Sequence, residues 1–172
     1  MRRITLVSFF LVLALFFMGT AVYSAGEDMI GMDAPLFVSP NLDDTELDLS
    51  TVIGKKVILL DFWSIYCVSC VQEMPHLAKI QKKFPDDLLN IGVDLDSFGT
   101  KRVKKFVEKK FPNLPYPIII DKRRKVAGLY SVSVLPTTII IDKAGKIIFY
   151  HVGYKPGDEK EIEEVIAKAI GK

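Results

Sequence analysis

Two cysteines, Cys67 and Cys70, are the residues of this 172-residue sequence whose type and spacing most clearly predict chemistry. They are the only cysteines in the chain, and two residues separate them. Such a pair can bind a metal ion, staple the fold, or cycle between a dithiol and a disulfide. A disulfide across two residues closes almost no loop, so it constrains the unfolded chain little and the structural staple is the weakest interpretation.

Metal and haem binding need ligands that the sequence does not supply at the required spacing. A structural zinc site takes about four ligands, and only His76 and His151 are available beside the cysteines. Covalent haem attachment requires a histidine directly after the second cysteine, where this sequence has Val71. We therefore expect redox chemistry without a metal or other cofactor, and a copper-binding module is kept as an alternative.

The surroundings of the cysteine pair predict a reactive thiol. The apolar run at 57–63 predicts a fully buried central strand. Apolar residues recur at helical spacing over 69–84 and predict a helix that contains Pro75. Cys67 then lies at the helix N-terminus, where free N–H groups and the helix dipole stabilise a thiolate. We expect Cys67 to be the nucleophile and Cys70, one turn further on, to be the resolving thiol.

The remaining hydrophobic pattern predicts an α/β sandwich. Buried strands are expected at 88–94 and 137–142, the latter paired in a hairpin with 146–152. Helices are expected at 100–111 and from Asp158 onwards, with Asp158 as the N-cap of the closing helix. Parallel strands joined by helices, followed by an antiparallel hairpin and a helix, give this class of fold.

The N-terminal segment has the pattern of an export signal. The basic pair Arg2-Arg3 precedes an apolar stretch over 4–18, and small residues follow. Read as far as Val22, the stretch approaches the roughly 20 residues that span a bilayer. We therefore expect residues 1–24 to be a signal peptide or an N-terminal membrane anchor, and residues 25–172 to form one exported domain.

The charge balance of the exported domain argues against two classes of partner. Without Arg2 and Arg3, the 23 basic residues of the chain become 21 and match the 21 acidic residues. A near-neutral domain gives no electrostatic reason to bind nucleic acid or an acidic membrane surface. We expect a monomer with a single core.

The residues around the cysteines resemble the active-site strand and helix of the thioredoxin superfamily. Asp61-Phe62-Trp63 leads to the Cys67–Cys70 pair, and Pro75 follows at the matching offset. Val134-Leu135-Pro136-Thr137 resembles the cis-proline loop of that superfamily. Within it, the chain is most similar to exported TlpA/ResA-type thiol–disulfide oxidoreductases over nearly all of residues 31–172. The resemblance implies a thioredoxin-like fold, with a central mixed β-sheet flanked by helices and a C-terminal hairpin and helix.

The resemblance also implies two acid–base partners for the cysteines. Asp61 stands where thioredoxin keeps a buried acid beneath the second cysteine, and Glu73 stands where ResA-type proteins keep an acid near the pair. A buried carboxyl has a raised pKa and can accept the proton that Cys70 must lose. The alternatives are a strand-end carboxylate in water for Asp61 and an ordinary exposed helix position for Glu73.

Substrate contact is expected from residues on both sides of the disulfide. The resemblance implies that Pro136 is cis and that the backbone of Leu135 pairs with an extended substrate segment. Tyr66 is expected to contribute its side chain to the same surface, and Trp63 is expected to be a core residue whose edge reaches this surface. Tyr66 departs from the family, which usually has tryptophan before the first cysteine.

These observations predict an exported enzyme that exchanges its CxxC dithiol with cysteines of exported proteins, as a reductant. It would act in the periplasm or on the outer face of the cytoplasmic membrane, and a membrane thiol reductant would supply its electrons. Apocytochrome c is one candidate substrate, which would place the protein in cytochrome c maturation. The alternative is a non-catalytic or copper-binding module with the same fold.

Overall fold

The computed structural model describes residues 26–172, so the predicted signal peptide or anchor at 1–24 lies outside the described residues. Within residues 26–172, no helix combines the length and the hydrophobicity needed to cross a bilayer. The strands and α-helices of this part of the chain follow in the order β1 (Val38–Pro40), β2 (Glu46–Asp48), β3 (Val57–Trp63), α1 (Val68–Lys83), β4 (Leu88–Asp94), α2 (Thr100–Lys110), β5 (Ile118–Ile120), α3 (Lys125–Leu129), β6 (Thr137–Ile141), β7 (Ile147–Val152) and α4 (Asp158–Ala169).

A five-stranded mixed sheet forms the centre of the domain, with the strand order β5-β4-β3-β6-β7. Strands β3, β4 and β5 are parallel, whereas β6 is antiparallel to both β3 and β7. The short strands β1 and β2 form a separate antiparallel pair. The predicted mixed sheet with a C-terminal hairpin and helix is thereby confirmed.

Strand β3 is the middle strand of the sheet, and both of its faces are covered. All seven of its residues are buried. Ile58, Leu60 and Phe62 belong to one hydrophobic cluster, and Val57 and Leu59 belong to a second cluster on the opposite side. A continuous apolar run suits this position, since a strand with water on one face would alternate polar and apolar residues.

Helices α1 and α4 cover the face of the sheet that carries Leu59. Leu77 of α1, together with Ile162 and Ile166 of α4, packs into the same cluster as Leu59. The opposite face is covered by α3 and by the segment before β3, which contribute Tyr130 and Leu49 among other residues. The apolar residues that recur at helical spacing in α1 are therefore the residues that contact the sheet.

Asp158 does not cap α4, contrary to the sequence-based expectation. The N-cap position is occupied by Gly157, whose φ of 113° suits glycine, and Asp158 is the first helical residue. Its carboxylate Oδ2 accepts a hydrogen bond from the Lys155 N–H at 2.9 Å and lies 3.2 Å from His151 Nε2. The side chain is thus used to fix the preceding turn and the neighbouring strand.

Replacing Leu59 by alanine should lower the free energy of unfolding by about 2–5 kcal/mol, because it opens a cavity in the centre of the core. Val38→Ala, at a position of β1 that is 57% exposed, is the control and should cost less than about 1 kcal/mol. Denaturant unfolding of the oxidised protein measures both. Equal losses would contradict the central position of β3.

Candidate active site

Cys67 and Cys70 form a disulfide at the junction of β3 and α1, with their Cα atoms 5.3 Å apart. Cys67 is the N-cap of α1, and its Sγ accepts the Cys70 N–H at 3.2 Å. Cys67 is half-buried, whereas Cys70 has no exposed surface. The predicted positions at the N-terminus and one turn inside the helix are confirmed. Only the Cys67 side of the disulfide is accessible to a partner thiol.

The loop between β3 and α1 is held by Asp96, which the sequence analysis did not identify. Asp96 Oδ1 accepts a hydrogen bond from Ser64 Oγ at 2.8 Å, and Oδ2 accepts one from the Ile65 N–H at 2.9 Å. Ser64 in turn accepts the Tyr66 N–H at Oγ and the Cys67 N–H at its carbonyl. One carboxylate therefore organises the turn that delivers the first cysteine to the helix.

A second acid, Asp94, supports this arrangement from the end of β4. Asp94 is fully buried, and its Oδ2 accepts the Asp96 N–H at 3.3 Å. Burial, and to a smaller extent the neighbouring Asp96 carboxylate, raises the pKa of Asp94 to about 9. Asp94 is therefore protonated at neutral pH and adds no charge beside the loop. The signal in the sequence was an acid at the last position of a buried strand and a second acid two residues later, at the edge of the sheet where β3 also ends.

Asp61 and Glu73 form a buried pair of carboxyls near Cys70. Asp61 lies within β3 with no exposed surface, and neither of its oxygens has a hydrogen-bond partner among the described residues. Glu73 is equally buried and follows Cys70 by three residues, on the same face of α1. Thr138, the neighbour of Asp61 across β3 and β6, donates its hydroxyl to Glu73 Oε1 at 2.9 Å. The alternatives of a solvated Asp61 and an exposed Glu73 are wrong.

Burial without a cationic partner raises the pKa of both carboxyls. Desolvation raises the pKa of Asp61 well above its usual range, and the neighbouring Glu73 adds to the shift. Desolvation raises the pKa of Glu73 to about 7, assisted by the charges of Asp158 and Glu159 and opposed by the hydrogen bond from Thr138. The pair therefore retains at least one proton at neutral pH.

The hydroxyl of Tyr116 lies near Asp61 and Glu73, and no local pattern in the sequence predicts this position. It is buried and has no hydrogen-bond partner among the described residues. Burial raises the pKa of Tyr116 well above its usual range, and the nearby charges of Asp61 and Glu73 add to the shift. A protonated phenol can donate its proton in a hydrogen bond to a carboxylate, which favours the ionised form of that carboxylate.

The loop before β6 has the geometry that the resemblance implies. The Leu135–Pro136 peptide bond is cis, and Leu135 packs against the hydrophobic cluster that contains both cysteines. The Gly153 N–H donates to the Pro136 carbonyl and the Thr137 hydroxyl donates to the Val134 carbonyl, each at 2.8 Å. In the described part of the chain, the backbone N–H and C=O of Leu135 make no hydrogen bond.

The two aromatic residues expected to contact substrate are placed differently. Tyr66 is 55% exposed and directly precedes Cys67, as expected for a contact residue. Trp63 has no exposed surface, and its ring packs at 6.3 Å from that of Phe106. The expected core position of Trp63 is confirmed, but its expected substrate contact is wrong for this oxidised form, because the ring has no exposed surface.

The histidines lie apart from the cysteines and contact acids of α4. His76 Nδ1 is 3.9 Å from Glu159 Oε1, and His151 Nε2 is 3.2 Å from Asp158 Oδ2. Among residues 26–172, no group of three or more histidine, cysteine, aspartate or glutamate side chains is arranged to hold a metal ion.

Comparison with known proteins agrees with the chemistry of this site. Residues 30–150 match the AhpC/TSA family. A thiol-disulfide oxidoreductase ResA of Bacillus cereus is 36% identical over 133 residues, which cover 77% of the chain and 75% of that protein. The thioredoxin-like protein YneN of Bacillus subtilis is 38% identical over 133 residues, which cover 76% of each.

A solved structure gives the same result for the fold. A Chlorobium tepidum protein assigned as the thiol:disulfide interchange protein DsbE superposes with a TM-score of 0.77 at 31% identity, covering 83% of the chain and 98% of that protein. The similarity thus extends over most of the domain that carries the CxxC pair. The chain therefore belongs to the AhpC/TSA family of thioredoxin-like proteins, in which it is a thiol–disulfide oxidoreductase similar to ResA.

Proposed function

We propose that this oxidoreductase works outside the cytoplasm and reduces disulfides of exported proteins. The observation that carries the direction of electron flow is the buried pair Asp61 and Glu73 near Cys70, which has no cationic partner among the described ion pairs. Carboxylates repel a nearby thiolate and raise its pKa. A less stable thiolate means a more stable disulfide, and hence a lower reduction potential.

The exchange proceeds in two displacement steps. The Cys67 thiolate attacks one sulfur of the substrate disulfide, forms a mixed disulfide, and expels the other substrate sulfur, which takes up a proton. Cys70 then loses its proton to the carboxyl pair and attacks Cys67 Sγ, which releases the second substrate thiol. Two electrons pass from the dithiol to the substrate, whose disulfide becomes two thiols while Cys67–Cys70 is oxidised.

The carboxyl pair supplies a proton acceptor at the point where Cys70 needs one. Cys70 is shielded from water, so its proton requires an acceptor within the protein. Glu73, with its pKa raised to about 7, is partly ionised at neutral pH and can both take up and return a proton. Thr138 stabilises the ionised form through its hydrogen bond to Glu73 Oε1, whereas the Tyr116 hydroxyl makes no hydrogen bond in this oxidised form.

An exported reductant needs a surface that binds its substrate and a signal that directs its export. The unpaired backbone groups of Leu135 would pair with an extended segment that carries the substrate cysteine. The pattern of residues 1–24 supports export, and an exported reductant needs a membrane thiol reductant to restore its dithiol. Apocytochrome c, whose haem-binding cysteines must be reduced, is our candidate substrate.

The Cys67–Cys70 couple should have a reduction potential below about −180 mV, the value for protein disulfide isomerase. Equilibration with glutathione or dithiothreitol, followed by fluorescence of the single tryptophan, measures it. Asp61→Asn combined with Glu73→Gln removes the negative charge and should raise the potential by about 30 mV or more, a tenfold change in equilibrium constant. A wild-type value above about −180 mV would make the protein an oxidase or isomerase.

A Cys70→Ser variant should accumulate mixed disulfides with exported proteins, because the second displacement cannot take place. Immunoprecipitation from cells without reducing agent, followed by mass spectrometry, identifies the trapped partners, among which we expect apocytochrome c. Cys67→Ser is the matched control and should trap none, since Cys70 is buried. Equal trapping by both variants would contradict the assignment of Cys67 as the nucleophile.

The stability of the oxidised protein should fall between pH 4.5 and about 7, because of Glu73. In this range Glu73 is ionised in the unfolded chain but still protonated in the folded protein, so the folded state binds more protons and loses stability as the pH rises. The part due to Glu73 is about 3 kcal/mol and ends above pH 7. Asp61 and Asp94, whose pKa values are also raised by burial, lower the stability in the same direction and add to the total fall.

Denaturant unfolding at a series of pH values measures this dependence. Glu73→Gln should make the fall between pH 4.5 and 7 shallower by the Glu73 part, with the remaining fall due to Asp61 and Asp94. Glu164→Gln, at an exposed position of α4, should leave the curve unchanged. Curves that fall in parallel for wild type and Glu73→Gln would show that Glu73 does not titrate as the buried site requires.

A further inference from the structure

An exposed aromatic and cationic surface borders the accessible side of the disulfide. Tyr66 and Phe98 are 55% and 63% exposed, and their rings contact each other edge to face with centroids 5.6 Å apart. The guanidinium of Arg102 lies 5.4 Å from both ring centroids. We call Tyr66, Phe98 and Arg102 the Arg102 surface. Because Tyr66 directly precedes Cys67, anything bonded to Cys67 must pass beside it.

Further apolar residues extend this surface around the disulfide. Val68, between the cysteines, is 73% exposed, and Val134, next to Leu135, is 54% exposed. Exposed apolar side chains that adjoin a reactive group are typical of a binding site. These exposed apolar side chains explain how an apolar substrate segment would bind, but they do not explain the positive charge of Arg102 beside them.

The cations of α2 are not explained by ion pairs. Lys101, Arg102 and Lys105 are exposed at the helix surface, and none of them takes part in an ion pair among the described residues. The first turn of α2 has no acidic residue, so Lys101 and Arg102 oppose the helix dipole. The first turn of α4, by contrast, carries three acids, Asp158, Glu159 and Glu161, which is the stabilising arrangement.

We propose that the Arg102 surface is a subsite for an acidic side chain of the substrate, close in sequence to the substrate cysteine. This inference rests on the proposed function and names the substrate class: cysteine segments that carry aspartate or glutamate together with apolar residues. The guanidinium carbon of Arg102 lies 5.4 Å from both ring centroids, and the guanidinium N–H groups make no hydrogen bond among the described residues, so they are available for a carboxylate. Lys105, three residues further along α2, lies on the same face as Arg102, and Lys101 precedes Arg102 in the first turn; both add attraction at longer range.

The test compares three synthetic peptides, each a disulfide-linked dimer of one short cysteine peptide. The residues flanking the cysteine are aspartate in the first, serine in the second and lysine in the third. The reduced protein is mixed with each dimer, and the released peptide thiol is quantified by rapid quenching and chromatography. In each reaction the protein dithiol becomes Cys67–Cys70, and one dimer disulfide becomes two peptide thiols.

At an ionic strength of about 0.01 M, where charges act over roughly 30 Å, the acidic peptide should react about tenfold faster than the basic one. At about 1 M, where the screening length is roughly 3 Å, the ratio should fall to a few-fold. The ratio is the readout, so it does not depend on the absolute reactivity of a variant.

Charge reversal at Arg102→Glu with Lys105→Glu should invert the preference, and Arg102→Gln should reduce it without inverting it. Lys168→Glu is the control, because Lys168 lies at the surface in the last turn of α4. Near that end of α4, Lys172 forms an ion pair with Asp87 at 2.8 Å. Asp87 directly precedes β4, at the end of the sheet opposite to the disulfide. This variant should keep the wild-type ratio.

Two outcomes would overturn the subsite while leaving the proposed function in place. One is equal rates for all three peptides with the wild-type protein at low ionic strength. The other is an unchanged ratio in the Arg102→Glu, Lys105→Glu variant. A protein that reduces none of the peptides would overturn the proposed function, and the subsite with it.

Discussion

The burial of β3 is the constraint on which the rest of the structure depends. The strand is hydrogen-bonded to β4 on one side and to β6 on the other, and hydrophobic clusters cover both of its faces. Its carboxyl end therefore has a fixed position, and the turn after it places Cys67 at the N-terminus of α1. The same burial encloses Asp61, the strand's one ionisable side chain, and raises its pKa. Fold stability and redox chemistry thus share one element.

The fold keeps the two carboxyls buried although burial disfavours their ionised form. An ionised carboxylate in an apolar interior is unfavourable unless a cation or several donors compensate for the lost water. Asp61 has no such partner among the described residues, and Glu73 has a single hydroxyl, that of Thr138. The pair therefore holds protons near neutral pH, where solvated carboxyls would have lost them. A proton acceptor of this kind suits Cys70, which is cut off from water.

Local patterns predicted the parts of the structure that are local in origin. The apolar run of β3 reflects a strand buried on both faces, and the helical spacing in α1 reflects a helix buried on one face. Both elements could therefore be predicted, and with them the position of Cys67 at the N-terminus of α1. The contacts of Asp96 with Ser64 and Ile65, and the position of the Tyr116 hydroxyl near the carboxyl pair, join elements that are distant in sequence. Spacing along the chain does not show which side chains such elements bring into contact. The core position of Trp63 was predicted, but the pattern does not show whether an edge of so large a ring reaches the surface, and here it does not.

The most direct measurement is a carbon-13 NMR titration of the side-chain carboxyls of the oxidised protein, with Asp61→Asn and Glu73→Gln variants to assign the signals. The buried pair predicts that Glu73 titrates near pH 7 and Asp61 well above its usual range. It also predicts that Glu73→Gln lowers the pKa of Asp61, because the charge of Glu73 contributes to the shift of Asp61. Titration of both groups near pH 4, independently of each other, would mean that water or a cation reaches them. That result would contradict a buried proton acceptor beside Cys70.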